Sequence, residues 1–359
     1  MICLAAVEAE LTGKATQSDG RNLVVGGNVV PSNDGVSQDV YPYLVTFRYE
    51  VTSFLNSTDP FMNENGGGVL IKATNDALIV LTANVQLYEG EKAYIGAYNI
   101  SRAAEELEEF TIEAVESHPD ILNRVDDVSS SLILVKLSKP SDPTIYTPIT
   151  NFNYNASFPA DGTAVTILGH GQTSAGNFTG VSDEEKSIRI NEINVLHDVE
   201  LSYLSAESCK AFNVAQDTTL NFEYGDTFCL VSSEPKSNCF GDGGSPAIIK
   251  GTDDPADDLL LGFVFLGNGP YCGVVNQTDV YQSIATYKDW IEETTEMLLG
   301  PGSNVTTDTG MGDMTMPPTS PSIDDGSSTP APMPKDGSEV RFATAGCFVL
   351  SVAAVLALI

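Results

Sequence analysis

Chemistry-bearing residues converge on Cys239-Phe-Gly-Asp-Gly-Gly-Ser-Pro246, a glycine-rich turn that holds a carboxylate, Asp242, and a hydroxyl, Ser245. Acyl transfer through such a turn needs a hydroxyl nucleophile, an imidazole base and a carboxylate that orients the imidazole. The chain holds 3 histidines. His118 precedes Pro119 in a loop, His170 stands between Gly169 and Gly171, and His197 lies in an acidic stretch with Asp198 and Glu200. Each reads as an exposed or structural histidine, so Ser245 lacks a base. Other chemistries fare no better: there is no Cys-x-x-Cys, no His-Glu-x-x-His and no phosphate loop. Gly66-Gly67-Gly68 precedes a strand-like run, which argues against a nucleotide site. Asp253, Asp254, Asp257 and Asp258 offer calcium-type ligands but read as a solvated acidic hairpin loop. Neither a metal nor a cofactor is expected.

The elements that must position these residues are short β-type runs separated by Gly, Pro, Asn and Asp. They include Tyr43–Tyr49, Gly68–Lys72, Ala77–Thr82, Ser131–Leu137, Ala164–Leu168 and Leu259–Phe265. Runs of this length and spacing predict an antiparallel sandwich or barrel rather than βαβ units. Only Ser283–Leu299 looks helical, with Ile284, Tyr287, Trp290 and Ile291 on one stripe. The expected body is all-β with one terminal helix.

Composition bounds the function. With 359 residues, 42% hydrophobic and 18% charged, the chain can bury a sizeable core. Its formal charge of −32 argues against nucleic acid or an anionic membrane surface as partner, because both would repel it. Residues 24–300 contain 40 acidic and 13 basic side chains, a net of −27, so the charge belongs mainly to the body.

The ends read as processing segments. Residues 1–9 resemble the last part of a signal peptide, with Val7 and Ala9 at the small-residue positions, and 10–23 read as a propeptide-like segment. A Pro/Ser/Thr-rich stalk over 300–342 leads to an apolar tail, 343–359. Small residues at Gly326, Ser327 and Ser328 before that tail form the pattern of a GPI-anchor signal, the one membrane attachment expected. Six sequons, at Asn56, Asn99, Asn155, Asn177, Asn276 and Asn304, agree with secretion to the cell exterior or its surface. Outside the end segments four cysteines remain, Cys209, Cys229, Cys239 and Cys272, enough for two disulfides in any of three connectivities.

Over 24–299 the residues resemble the trypsin/chymotrypsin-type serine proteases. Val24-Val-Gly-Gly27 stands where that family has its mature amino terminus, and Leu81-Thr-Ala-Asn-Val-Gln86 occupies the frame of its Leu-Thr-Ala-Ala-His-Cys motif. Leu132–Leu137 is similar to the strand after the catalytic aspartate, and Cys239–Pro246 answers to Cys-x-Gly-Asp-Ser-Gly-Gly-Pro. The resemblance implies two perpendicular six-stranded barrels with the active site in the cleft between them. It also implies the pairings Cys209–Cys229 and Cys239–Cys272. A further family bridge would join the positions of Gly66 and Gln86, and both of its cysteines are absent here.

Carried over position by position, the resemblance places Val85 at the histidine, Ser131 at the aspartate and Gly243 at the serine. None of these can perform its role, so a catalytically inactive homologue is implied. Ser237 falls at the base of the specificity pocket, and Phe265 and Leu266 replace a Ser-Trp pair beside the substrate strand, partly filling the cleft. Asp242 has two readings. It pairs with a freed amino terminus, although Leu23 rather than Arg or Lys precedes Val24, or it hydrogen-bonds to the backbone of its own turn.

A fold retained after its chemistry is lost implies binding. Ala247–Gly262, with its acidic loop, resembles the glucanase inhibitor proteins that oomycete plant pathogens secrete. That likeness implies a protein partner, a plant endo-β-1,3-glucanase or another extracellular enzyme. Two alternatives stand beside it: an endopeptidase with residual activity through Ser245, and an adhesive protein of the wall surface.

Overall fold

Two runs dominated by aliphatic residues set the architecture. In a computed structural model of the protein, Leu78–Ala83 (β4) is buried throughout and Leu132–Leu137 (β7) on all but one residue, and the two pair antiparallel. The structure describes residues 25–32, 34–50, 63–83, 87–119, 132–171, 176–177, 195–216, 226–239, 241–252, 254–266 and 271–300. Around β4 and β7 close Leu44–Glu50 (β2), Asn63–Ala73 (β3), Lys92–Ile95 (β5) and Phe110–Ser117 (β6), in the order β2-β3-β4-β7-β6-β5. This is a six-stranded antiparallel barrel, and Phe47, Val69, Leu81 and Leu134 lie in its core at 0% exposure.

The second barrel closes through Ala164–Gly169 (β9), His197–Leu204 (β11), Thr227–Val231 (β12), Pro246–Ile249 (β13), Leu259–Leu266 (β14) and Thr278–Ser283 (β16). Neighbours run β11-β12-β16-β14-β13-β9, and the β9–β11 pairing closes the ring. Strand β11 alternates buried and solvated residues, the pattern of a barrel wall with one wet face. Asn28–Val29 (β1) extends the sheet from β11, and Asn151–Phe152 (β8) pairs parallel with β14. Gly176–Asn177 (β10) and Tyr271–Cys272 (β15) form a small separate ribbon.

Three helices occur among the described residues, where the sequence predicts one. Ile100–Glu106 (α1) and Ala206–Ala215 (α2) are short and capped by Asn99 and Ser205, while Lys288–Leu299 (α3) is the expected terminal helix. Helices α1 and α2 lack a long apolar stripe, and packing supplies what their length cannot. Cys209 of α2, for example, is bonded to Cys229 of β12. Helix α3 starts five residues later than its apolar spacing predicts, because Ile284 and Tyr287 sit in the core ahead of the first helical turn. No described helix is long and apolar enough to cross a membrane. The expected stalk and tail lie outside the described residues.

Candidate functional site

The glycine-rich turn between Cys239 and Ser245 is built from its own backbone. Asp242 N–H donates to the Cys239 carbonyl at 3.1 Å and Ser245 N–H to that of Asp242 at 3.0 Å. Gly241 and Gly244 supply left-handed backbone at φ 93° and 71°, which side chains disfavour. Two bonds fix the turn to β14, Gly244 N–H to Val264 O at 3.0 Å and Val264 N–H to Ser245 O at 2.8 Å. A third reaches the other barrel, where Gly67 N–H of β3 donates to the Gly243 carbonyl at 2.9 Å.

That contact accounts for Gly67, and packing inside the first barrel accounts for Gly68. A Cβ at Gly67 would stand 2.5 Å from the Cα and Oγ of Ser245, and one at Gly68 would stand 2.9 Å from Phe47 and Val80. Thr82 holds the same strand, its hydroxyl donating to Gly67 O at 2.6 Å. Ser245, 2% exposed, is packed against this backbone. Gly243 contributes only a peptide group. Val85 and Ser131 lie outside the described residues.

Asp242 is fully buried. Its carboxylate accepts from Gly171 N–H at 2.9 Å and Cys239 N–H at 2.8 Å, and no cationic group bonds to it among the described residues. Burial pushes its pKa up to about 7, against the downward pull of the two backbone bonds. A Cβ at Gly169 or Gly171 would run into this carboxylate, so the Gly-His-Gly triplet shapes its seat. The triplet's central ring, His170, lies on the opposite contact, near the Tyr98 carbonyl at 3.2 Å and the Thr46 hydroxyl at 3.4 Å. His197 contacts the Val195 carbonyl at 2.7 Å, while its Nε2 is buried without a partner among the described residues. Burial holds both imidazoles neutral, with pKa values lowered to about 4. His118 packs edge-on against Tyr287 and Trp290, at 4.9 and 5.0 Å.

Ser237 is 6% exposed and its hydroxyl oxygen accepts from Gly273 N–H at 2.7 Å, beside the Cys239–Cys272 bridge. Phe265 packs with Cys209, Cys229 and Val280, so its bulk goes to that cluster in the second barrel. Leu266 ends β14. Both disulfides have the connectivity that the resemblance implies.

In the acidic hairpin, Asp254 caps its own turn through Ala256 N–H at 2.9 Å, and Asp257 accepts from the Thr252 hydroxyl at 2.6 Å. Asp258 is buried, accepting from Gly251 N–H and from the Tyr43 hydroxyl of the first barrel. Asp253 lies outside the described residues. Asn155 and Asn276 are exposed, and Asn99 caps α1. Asn177 belongs to β10, and Asn56 and Asn304 fall outside the description. Sequence reasoning missed Gly67, Gly169 and Gly171. The available signal was glycine on both sides of a histidine and a glycine run inside a strand.

Comparison with known proteins agrees with this geometry. The trypsin family model matches residues 41–291. Glucanase inhibitor protein 1 of Phytophthora infestans is 24% identical over 294 residues, 82% of this chain and 96% of that protein. Its namesake from Phytophthora sojae is 24% identical over 76% of this chain and 88% of its own length. Trypsin of Sus scrofa is 28% identical over 59% of this chain and 72% of its own length.

Proposed function

This chain belongs to the trypsin family, and we propose that it acts by binding another protein rather than by cleaving one. Gly243 carries this reading. At the family's serine position it offers no side chain, and its carbonyl is already taken by the Gly67 N–H. Val85, at the family's histidine position, cannot accept a proton, and Ser131, at its aspartate position, carries no carboxylate, so neither supplies the missing chemistry. Ser245 does not replace the nucleophile, because it is buried against β3 and both buried histidines are held by backbone or hydroxyl contacts.

The partner in this proposal is a host endo-β-1,3-glucanase, supported by the two relatives named as glucanase inhibitors along most of this chain. The protein works outside the cell, with residues 24–299 as the binding domain, 300–342 as stalk and 343–359 as the signal for a lipid anchor. Two disulfides and exposed sequons at Asn155 and Asn276 support that compartment. The test is direct. Excess protein added to a plant endo-β-1,3-glucanase acting on laminarin should lower the rate of reducing-sugar release, and an unchanged rate rejects the partner.

A further inference from the structure

A groove of about 940 Å³ opens between α3, the end of β3 and the β8 segment. Its lining includes apolar Ile71, Phe152, Leu259 and Ile291, together with the carboxylates of Asp257, Glu292 and Glu296. It is separate from the Gly243 turn: Lys72, also on its wall, lies five residues along β3 from Gly67, roughly 16 Å at the rise of a strand. A space of this size, lined by apolar and polar groups in similar measure, fits a short chain segment.

One charge on the groove wall is placed against local stability. Helix α3 carries Asp289, Glu292, Glu293 and Glu296 and has no basic residue in its last turn. Glu296 therefore stands at the negative end of the helix dipole, where a carboxylate is disfavoured. Thr295, in the same stretch of the wall, has a buried hydroxyl with no partner among the described residues. Such local conflicts concentrate where a sequence serves binding rather than folding. Lys288 is committed to Glu292 at 3.8 Å and lies over the Tyr154 ring at 5.8 Å. The lining therefore holds two ammoniums, Lys72 and Lys288, against three carboxylates, Asp257, Glu292 and Glu296, with the negative end of the helix beside them, a net negative field.

We propose that this groove docks an extended segment of the partner protein in which an arginine or lysine stands between aliphatic side chains. The aliphatic groups cover Ile71, Leu259 and Ile291, and the cation sits between Asp257 and Glu296. The inference rests on the binding reading above and gives it a face distant from the family's cleft.

The probe is a capped, fluorescently labelled hexapeptide of alternating leucine and arginine, followed by anisotropy, with a leucine–glutamate peptide as counterpart. Saturable binding of the first peptide alone is expected. Glu296→Lys should weaken it at least about tenfold, while Glu293→Lys, one turn earlier and outside the groove lining, should change it less than about twofold. Glu296→Lys should also raise the urea midpoint of the free protein, which separates lost binding from lost folding. No saturable binding, equal weakening by both variants, or a lowered midpoint overturns the proposal. Glucanase inhibition without peptide binding removes the groove alone, and peptide binding without glucanase inhibition removes the glucanase alone.

Discussion

Gly67 and Gly243 meet backbone to backbone, with the Gly67 N–H donating to the Gly243 carbonyl at 2.9 Å. The first barrel is thereby joined to the second through main-chain atoms of the glycine-rich turn. The turn is part of the packing between barrels, and substitutions there act first on stability.

Gly67→Ala should therefore destabilise the fold. Its Cβ would stand 2.5 Å from the Ser245 Cα, a contact with backbone that cannot swing aside. Overpacking of this kind costs about 1–3 kcal/mol, visible as a lower urea midpoint with an unchanged slope.

The pH dependence follows from three buried groups. His170 and His197, lowered to about 4 from 6.5, contribute stability that is present above pH 6.5 and lost as pH falls toward 4. Asp242, raised to about 7 from 3.8, acts in the opposite sense: its contribution is present near pH 4 and lost as pH rises to 7. Between pH 6.5 and 4 two histidines oppose one carboxylate, leaving a net loss on acidification on the order of 1 kcal/mol per pH unit from these groups. Asp242→Asn removes the offset, so the variant's loss between pH 6.5 and 5 should be about twice as steep. Parallel wild-type and variant curves in urea melts at the two pH values would contradict this assignment.

Both disulfides should stabilise the second barrel. Cys209–Cys229 and Cys239–Cys272 close loops of 20 and 33 residues. Replacing either pair by serine should cost about 3–4 kcal/mol, read from thermal melts of each variant. The Cys209/Cys229 variant also removes the packing partners of Phe265, so it should show the larger drop.

Tyr43→Phe should loosen the acidic hairpin. The Tyr43 hydroxyl is one of two donors to the buried Asp258 carboxylate, the other being Gly251 N–H. Losing it costs about 1–3 kcal/mol. Faster amide exchange over 250–258, with β4 unchanged, is the expected hydrogen-exchange result.

Much of this was legible in the residues. Runs rich in aliphatic residues such as Leu132–Leu137 marked the barrel strands, and the resemblance to the trypsin-type proteases implied which cysteines pair. The helices α1 and α2 were not legible, because a seven-residue and a ten-residue segment gain their stability from caps and tertiary contacts rather than from periodicity. For Asp242 the residues offered a freed amino terminus or the backbone of its own turn as partner; the turn supplies Cys239 N–H, and the second donor was not legible. Only the fold brings Gly171 N–H across seventy-one positions to meet it. Phe265 shows the limit of carrying a pocket over by alignment, since strand pairing turned its ring toward the Cys209–Cys229 bridge.

Under the proposed function no nucleophile operates in this site. Intact-mass spectrometry after incubation with a serine-directed fluorophosphonate tests this most directly. An unchanged mass is expected under conditions that fully label an active trypsin. A stoichiometric adduct mapping to Ser245 would contradict it.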